Sequence, residues 1–229
     1  MVHRFAARGA MGPARHAAGR RLTRIQYDGI NSDMKDETDL DRQIATRIRA
    51  LRTARGLTLE GLAEKTGVSR SMISAIERGT TSPTAVLLER LATGLGLMLA
   101  DLFDRPERPA DPIARRADQP RWRDPQSGYV RRNVSPPSFP SPIRLVEVEF
   151  PPGARVAYET SAREGQIHQQ VWVIDGTIDL TVGDTVHRLG AGDCLAFVLD
   201  QPTTFHNPSD SPAHYVVVIV DRIHLESFR

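Results

Sequence analysis

The chain has 229 residues and a net charge of +2, and its shares of 40% apolar and 25% charged residues are typical of one or two globular domains. The longest apolar run, residues 215–220, is far shorter than the roughly 20 residues of a membrane-spanning helix, which excludes a spanning protein. The single cysteine, Cys194, excludes an intramolecular disulfide and a cysteine-based zinc cluster. We therefore expect a cytoplasmic protein.

Charge is distributed unevenly along the chain. Residues 1–34 hold six arginines against two aspartates, and residues 105–142 hold eight arginines against four acidic residues. Residues 143–229, by contrast, hold six basic and twelve acidic residues. A basic front half favours an anionic partner for that part of the chain.

Residues 1–38 have little apolar periodicity and are rich in arginine, alanine and glycine. We interpret this segment as a disordered arm. Two alternatives stay open, because an arginine-rich, acid-poor start is also typical of transit peptides, and because Met34 is a possible initiator close to the first organised segment.

Residues 39–104 show the apolar spacing of short helices. Ile44, Ile48 and Leu51 recur at intervals of four and three residues, as on one helix face, and Gly56 ends this helix. Thr58 and Ser69 are suited to cap the second and third helices, and a proline in the first turn marks the start of the fourth. The apolar residues predicted to lie in the four following helices are Leu62 and Ala63, then Met72, Ile73 and Ile76, then Leu87, Leu88, Leu91 and Leu95, and last Leu99, Leu102 and Phe103. The sequence therefore predicts an all-α bundle of five short helices.

Residues 105–142 hold nine of the sixteen prolines, which prevents long helices. We interpret residues 105–117 as a proline-rich linker, and Trp122 and the segment 128–134 as edge strands of a second domain over residues 118–229. After Ile143 the apolar period changes to two, and short runs separated by turn residues predict an all-β sandwich or barrel. The predicted strands are 145–150, 171–174, 178–182, 186–189, 195–199 and 215–220.

Residues 59–78 have the pattern of a helix-turn-helix. Ala63 is small where two helices would cross, and Gly67 supplies the turn four residues later. The second helix would present Arg70, Ser71, Ser74 and Ala75 outward, and such a helix fits the DNA major groove. Arg70 would donate two hydrogen bonds to a guanine, worth about 1–3 kcal/mol of discrimination. The hydroxyls of Thr58 and Ser69 suit phosphate oxygens, and Arg78 either contacts phosphate or pairs with a neighbouring acid.

The residues 44–103, which include RTARGLTLEGLAEKTGVSRSMISAIERGTTSP and a closing ADLF, resemble the lambda-repressor-like (xenobiotic-response-element type) helix-turn-helix family. This resemblance implies base contacts at Ser69, Arg70, Ser71 and Ala75, with Ser74 beside them. Leu59 departs from the family pattern, because a phosphate-binding glutamine is common there, and Ala75 is too short to bond a base edge. An alternative is a helical interaction domain whose arginines and serines form a solvated face.

The strands after Trp122 resemble the cupin fold, a double-stranded β-helix jelly roll, above all in HQQVWVIDGTIDLTVGDTVHRLGAGDCLAF and DQPTTFHNPSDSPAHYVVVIV. Metal-binding cupins carry a glutamate and a histidine where this chain has Gln169 and Thr203, and the expected His-x-His pair is missing. We therefore expect no metal or other cofactor. A rearranged site formed by His168 and His206 is the alternative to their being surface histidines, because neutral histidine is a versatile metal ligand.

Gln169 and Thr203 are polar residues in an otherwise apolar barrel, as a small-molecule pocket requires. We expect Tyr158, Val171 and Phe205 to share its wall, whereas Trp172, at the opposite strand parity, is expected at an interface.

Together the two resemblances imply a bacterial transcriptional regulator, acting as a repressor, whose barrel senses a small-molecule effector. The partners expected are operator DNA, that effector and a second copy of the chain, with two recognition helices about 34 Å apart on the DNA. Two other classes stay open: a cupin enzyme of isomerase or oxygenase type tethered to a DNA-binding domain, and an antitoxin-like protein–protein module.

Overall fold

The structure, a computed structural model, describes residues 30–104, 111–137, 139–159 and 167–221. The described chain begins with α-helices and continues into two β-sheets. The helices are α1 (Ile30–Ala54), α2 (Leu59–Thr66), α3 (Arg70–Glu77) and α4 (Ala85–Gly94), followed by two 3-10 helices, Leu99–Phe103 and Arg116–Asp118. None of the described helices is long and apolar enough to cross a membrane.

The prediction of five α-helices is wrong in its last member, because residues Leu99–Phe103 form a 3-10 helix. The Asp101 carboxylate accepts a hydrogen bond from the Met98 backbone N–H at 2.9 Å, and the Asp101 N–H bonds the Met98 carbonyl at 3.0 Å. Both hydrogen bonds join residues three apart, as in a 3-10 helix, and the five-residue segment is too short for a series of α-helical hydrogen bonds.

The interpretation of residues 1–38 as a disordered arm is also wrong in part. Helix α1 begins at Ile30 rather than near Asp39, whereas residues 1–29 lie outside the described residues. Residues 30–38 lack an apolar stripe, so hydrophobic periodicity gave no signal for this extension of the helix.

The helical part has a core of large apolar side chains. Gly67 ends α2 in the left-handed region, at φ 66°, which only glycine adopts without strain and which lets the chain turn sharply into α3. Gly94 lies against Thr66 so closely that a β-carbon would collide with it, which keeps α4 near the end of α2. The fully buried side chains here are Ile44, Ile48, Leu62, Ile73, Ile76, Leu88, Leu91, Leu95 and Leu102.

The described β-structure consists of two antiparallel sheets. The six-stranded sheet has the order β1-β2-β3-β10-β5-β8, and the four-stranded sheet has the order β4-β9-β6-β7. The strands are β1 (Arg121–Arg123), β2 (Val130–Asn133), β3 (Ile143–Phe150), β4 (Arg155–Tyr158), β5 (Ile167–Asp175), β6 (Thr177–Val182), β7 (Thr185–Gly190), β8 (Cys194–Val198), β9 (Thr203–His206) and β10 (Ala213–Asp221).

The six strands predicted after Ile143 are present, although several are longer than predicted. Strand β1 lies at a sheet edge as expected, but β2 pairs with both β1 and β3 and is not an edge strand. Strands β4 and β9 were missed in the list of strands, because each has only four residues and a mixed polar composition.

Polar contacts join the helical and β-parts. The buried Asp124 carboxylate accepts a hydrogen bond at 2.8 Å from the N–H of Ala85, the first residue of α4. Arg90 and Glu159 form an ion pair at 2.7 Å. Arg144 of β3 lies 3.6 Å from the carboxylate of Asp101, and the three linkages together tie α4 and the first 3-10 helix to the β-sheets.

A row of aromatic rings crosses the same boundary. Phe103, Trp122 and Tyr129 meet in successive edge-to-face pairs with centroids 6.2 Å and 6.0 Å apart. The row continues into the barrel through Phe150 and Tyr215 at 6.0 Å and 5.9 Å. Each such pair contributes about 0.5–1.5 kcal/mol beyond area burial, so the two parts share one aromatic core.

Candidate DNA-reading surface and barrel cavity

Helices α2 and α3 form the helix-turn-helix expected from the sequence, and both are capped by the predicted hydroxyl residues. Thr58 Oγ1 accepts a hydrogen bond from the Gly61 N–H at 3.0 Å, and Ser69 Oγ accepts one from the Met72 N–H at 3.2 Å. Each cap satisfies a backbone donor that the first turn leaves free. Both hydroxyls lie at exposed helix N-termini, where the helix dipole favours anions.

The outer face of α3 carries the predicted polar set. Arg70 is exposed over 68% of its side chain, and its only described ion pair is a long one, 4.0 Å to Glu60. Ser71 is exposed and lies 3.2 Å from the Ser69 hydroxyl. Such a loose ion pair contributes little to stability, which leaves the Arg70 guanidinium available to a partner.

Ser74, Ala75 and Arg78 lie toward the end of the same helix. Arg78 donates a hydrogen bond to the Ser74 hydroxyl. No described carboxylate pairs with Arg78, so the alternative of an ion pair with a neighbouring acid has no support. Ser74 and Ala75 are half-buried, and Ala75 offers no polar side-chain atom.

A buried ion pair holds the recognition helix against α1. Arg52 Nε and Nη2 donate to the two carboxylate oxygens of Glu77 at 2.6 Å and 2.8 Å, and Nη1 donates to the Leu57 carbonyl at 2.8 Å. The hydrogen bond to Glu77 raises the pKa of Arg52 above its ordinary value. No local pattern in the sequence signals this contact. The partner is 25 residues away, so only the tertiary structure identifies the pair.

The barrel encloses a cavity of about 110 Å³ between the two sheets. Four of the five predicted wall residues line it: Tyr158, Gln169, Thr203 and Phe205. Val171 does not, and this prediction is wrong. Ile167 and Gln169 of β5 face the cavity, but Val171, two residues farther along the strand, is fully buried in the core beyond the cavity.

The cavity wall is not made by the barrel alone. Met98 and Leu99, at the start of the first 3-10 helix, and Glu89 of α4 also line it. Both Met98 and Leu99 are buried. A molecule bound in this cavity would therefore contact the β-sheets and the helical part at once, which sequence reasoning did not predict.

Besides Gln169, Thr203 and two glutamates, the polar residues that line the cavity include three tyrosines and one arginine. The hydroxyls of Tyr129 and Tyr158 lie 3.1 Å apart. Burial raises the pKa of Tyr129 and raises those of Tyr158 and Tyr215 well above their ordinary values, so all three remain protonated at neutral pH. Arg131, which is 5% exposed, lines the same cavity and partly offsets the rise in the pKa of Tyr129.

His168 and His206 lie on different sheets. His168 is exposed on the outer face of β5, whereas His206 lies on the outer side of β9, in the other sheet, 3.9 Å from the Asp179 carboxylate. The described residues contain no group of three histidine, cysteine or acidic side chains that would hold a metal ion. The alternative of a rearranged metal site at this histidine pair has no support among the described residues, because the two histidines lie on strands of different sheets.

A capped helix-turn-helix with an exposed recognition helix, followed by a two-sheet barrel with an internal cavity, defines a helix-turn-helix protein with a cupin domain. The helix-turn-helix family profile matches residues 48–102, and the cupin domain profile matches residues 146–219.

Relatives share this whole arrangement. The HTH-type transcriptional regulator SutR of Escherichia coli is 30% identical over 181 residues, covering 77% of this chain and 94% of that protein. The regulator PuuR of Escherichia coli is 26% identical over 163 residues, covering 71% and 86%. A solved HTH_3 family transcriptional regulator from Vibrio cholerae has the same fold, with a TM-score of 0.66 at 23% identity, covering 80% of this chain and 98% of that one. The chain belongs to the HTH-type transcriptional regulators that carry a cupin domain and is a DNA-binding regulator.

Proposed function

We propose that this regulator binds a small-molecule effector in the barrel cavity and that effector binding changes its affinity for an operator. The observation that supports this proposal is the composition of the cavity wall, in which Met98, Leu99 and Glu89 of the helical part face barrel residues across the same space. An effector that prefers one arrangement of this wall stabilises one position of the DNA-reading helices. Unequal binding to the two arrangements is all that such coupling requires.

The DNA contacts that we propose follow from the exposed face of α3. Arg70 reads a base, and Ser71 and Ser74 lie beside it in the major groove, with Ala75 packed against a base or sugar. Thr58, Ser69 and Arg78 bind phosphate oxygens, which fixes the position of the helix without reading sequence. The exposure of Arg70 and the two hydroxyl caps support these roles.

We also propose a homodimer formed through the outer face of the six-stranded sheet. Trp172 is 49% exposed there, Ile174 is 37% exposed, and Val216 lies directly across from Trp172 in the sheet register. An exposed tryptophan within an apolar patch is a typical interface residue. Such a dimer would place the two recognition helices about one DNA turn, roughly 34 Å, apart.

The dimer is tested by sedimentation velocity of the full chain. We expect Trp172→Lys to be monomeric at concentrations where the wild type is dimeric. Val186→Lys is the matched control, because Val186 is also apolar and 61% exposed but lies on the other sheet. A monomeric wild type, or dissociation caused by the control alone, would contradict the proposed face.

DNA reading is tested by fluorescence anisotropy on DNA from upstream of the protein's own gene, against scrambled DNA, at several salt concentrations. Loss of a bidentate base contact costs about 1–3 kcal/mol, so Arg70→Ala should weaken specific binding by about 5- to 150-fold. Arg49→Ala removes the same charge from an exposed position on α1 and serves as the control. If both variants weaken binding equally on both DNAs, the Arg70 effect is general phosphate attraction and the reading role fails.

We further propose that the regulator represses from this operator and acts in the cytoplasm, associated with the nucleoid when bound to DNA. A promoter–reporter fusion measures the direction of regulation. Expression should rise when the gene is deleted, and the Arg70→Ala variant should not restore repression. A fall in expression upon deletion would identify an activator instead.

A further inference from the structure

The cavity contains a buried cation without a carboxylate partner. Arg131 lies on β2 opposite Val148 of β3, which directs its side chain into the barrel. Only 5% of the residue is exposed, and its Nε donates to the Asn133 side-chain oxygen at 3.3 Å. No carboxylate among the described residues is within ion-pair distance of this guanidinium. An unpaired buried charge is costly and is normally neutralised by a partner.

The two acidic residues of the cavity wall are committed elsewhere. Glu159 pairs with Arg90 at 2.7 Å and is 76% exposed, so it remains largely in water. Glu89 accepts a hydrogen bond from the Thr93 hydroxyl at 3.3 Å, within its own helix. Neither carboxylate forms a described ion pair with Arg131, and the rest of the cavity wall consists of aromatic, aliphatic and uncharged polar side chains.

The neighbours of Arg131 suit a bound anion. Tyr129 and Tyr158 line the same space, and both remain protonated; one hydroxyl donates to the other across 3.1 Å, which leaves the proton of the second for an acceptor oxygen. The planar guanidinium matches a carboxylate through two parallel hydrogen bonds. The volume, about 110 Å³, is comparable with the roughly 150 Å³ apolar cavity that accommodates benzene, so a small organic molecule fits.

We propose that the effector of this regulator is a small organic carboxylate, whose anionic group binds Arg131 while its apolar part lies against the aromatic wall. This inference rests on the proposed function of the cavity and specifies the chemical class of its ligand. The carboxylate supplies the counter-charge that Arg131 lacks, and the tyrosine hydroxyls complete its hydrogen bonding.

The contacts of Arg131 also link the cavity to the first 3-10 helix, so that ligand binding in the cavity affects that helix. Its guanidinium carbon lies 5.0 Å from the centroid of the Phe103 ring, at the end of the first 3-10 helix. Asn133, which accepts from Arg131, in turn donates to the Ala100 carbonyl at 3.3 Å. A carboxylate that draws the guanidinium toward the cavity centre changes both contacts. The segment they hold, Leu99–Phe103, follows α4, whose Gly94 lies against Thr66 of α2 in the helix-turn-helix.

The experiment is isothermal titration calorimetry of the full chain at constant ionic strength with two isosteric series: butyrate, butyramide and butylamine, and benzoate, benzamide and benzylamine. We expect the carboxylates to bind at least tenfold more tightly than the amides, and the amines not to bind. Arg131→Met should weaken carboxylate binding by about 10- to 100-fold, as expected for a lost charged hydrogen-bonding partner, and leave amide binding unchanged.

Three further samples make the result decisive. Arg155→Gln removes a positive charge from an exposed position on β4 and should bind like the wild type. Arg131→Lys retains the charge but not the planar fork, and should bind carboxylates several-fold more weakly than the wild type; this variant decides the outcome if Arg131→Met does not fold. The third sample, the wild type with operator DNA, is measured by fluorescence anisotropy instead of calorimetry, with and without the best carboxylate.

The assignment is overturned if amines or amides bind as well as carboxylates, if no carboxylate binds, or if folded Arg131 variants bind carboxylates like the wild type. The calorimetry involves no DNA, so the proposed carboxylate site and the proposed control of operator affinity by the effector are tested independently. A carboxylate that binds through Arg131 but leaves operator affinity unchanged overturns the regulatory role and retains the anion site.

Discussion

The pair Arg52–Glu77 offers the sharpest test of how the DNA-reading helix is held. Both guanidinium contacts are short, and the two side chains are only 15% and 7% exposed. Removal of one member of a buried pair strands the other charge and typically costs 3–5 kcal/mol. Because Arg52 retains some contact with water, we expect the lower end, about 3 kcal/mol, for Arg52→Met and for Glu77→Leu.

The double variant Arg52→Met/Glu77→Leu distinguishes a coupled pair from two independent residues. It removes both charges and should be destabilised by clearly less than the sum of the single variants, with a coupling energy of about 1–3 kcal/mol. The free energies of unfolding are measured by urea titration followed by circular dichroism. Strictly additive losses would refute the reasoning, because they would mean that neither charge depends on the other.

The same variants separate stability from DNA reading. Glu77 is the last residue of α3, so loss of the pair frees the end of the recognition helix nearest α1. Operator affinity measured well below the unfolding transition should therefore fall in both single variants although neither touches Arg70. Unchanged affinity in the folded single variants would mean that packing of Ile73 and Ile76 alone fixes the helix.

Two further predictions concern the scaffold. Gly176→Ala should destabilise the protein by about 3 kcal/mol in thermal or urea unfolding, because the φ of Gly176 is 80° and a β-carbon would lie 2.8 Å from Ala213 Cα. Gly67 has a φ of 66° but open space around it, so Gly67→Ala should cost only about 1 kcal/mol. Equal losses in the two variants would contradict this account. The hydrogen bond from Arg188 lowers the pKa of Asp179, so this carboxylate contributes stability that is fully present above about pH 3.9 and is lost as the pH falls through its lower folded-state pKa. The melting temperatures of wild type and Asp179→Asn should therefore differ at pH 6 and converge toward pH 3, and a difference that grows in acid would overturn the assignment.

The helix-turn-helix was predictable because its signals are local. The caps at Thr58 and Ser69 and the left-handed turn at Gly67 depend on a few neighbouring residues, and each was confirmed. Gln169 and Thr203 line the cavity, as the spacing in the cupin resemblance implied, and ligand binding by them stays a prediction.

The sequence could not show how far the cavity extends along each strand, or which residues distant in sequence contact each other. The alternation of side chains along β5 assigned Val171 to the inner face of the sheet, but this alternation does not say how far along a strand a cavity extends. Arg131 belongs to the segment 128–134, which we expected to be an edge strand, but its inward direction follows only from the pairing of β2 with β3. The cavity wall formed by Met98 and Leu99 depends on how two domains dock, which no local pattern encodes.

The shared cavity wall has a consequence for how such regulators can be recombined. A cut within residues 105–117 divides the chain where its sequence changes character, but the wall of the cavity that we propose as the effector site extends upstream of that cut to Met98 and Leu99, and as far as Glu89 of α4. A barrel transferred alone to another DNA-reading domain would lose part of its ligand-binding wall and expose apolar surface to water. We therefore expect the unit of exchange, in evolution and in engineered chimeras, to begin before the 3-10 helix Leu99–Phe103 and to carry that helix together with the barrel.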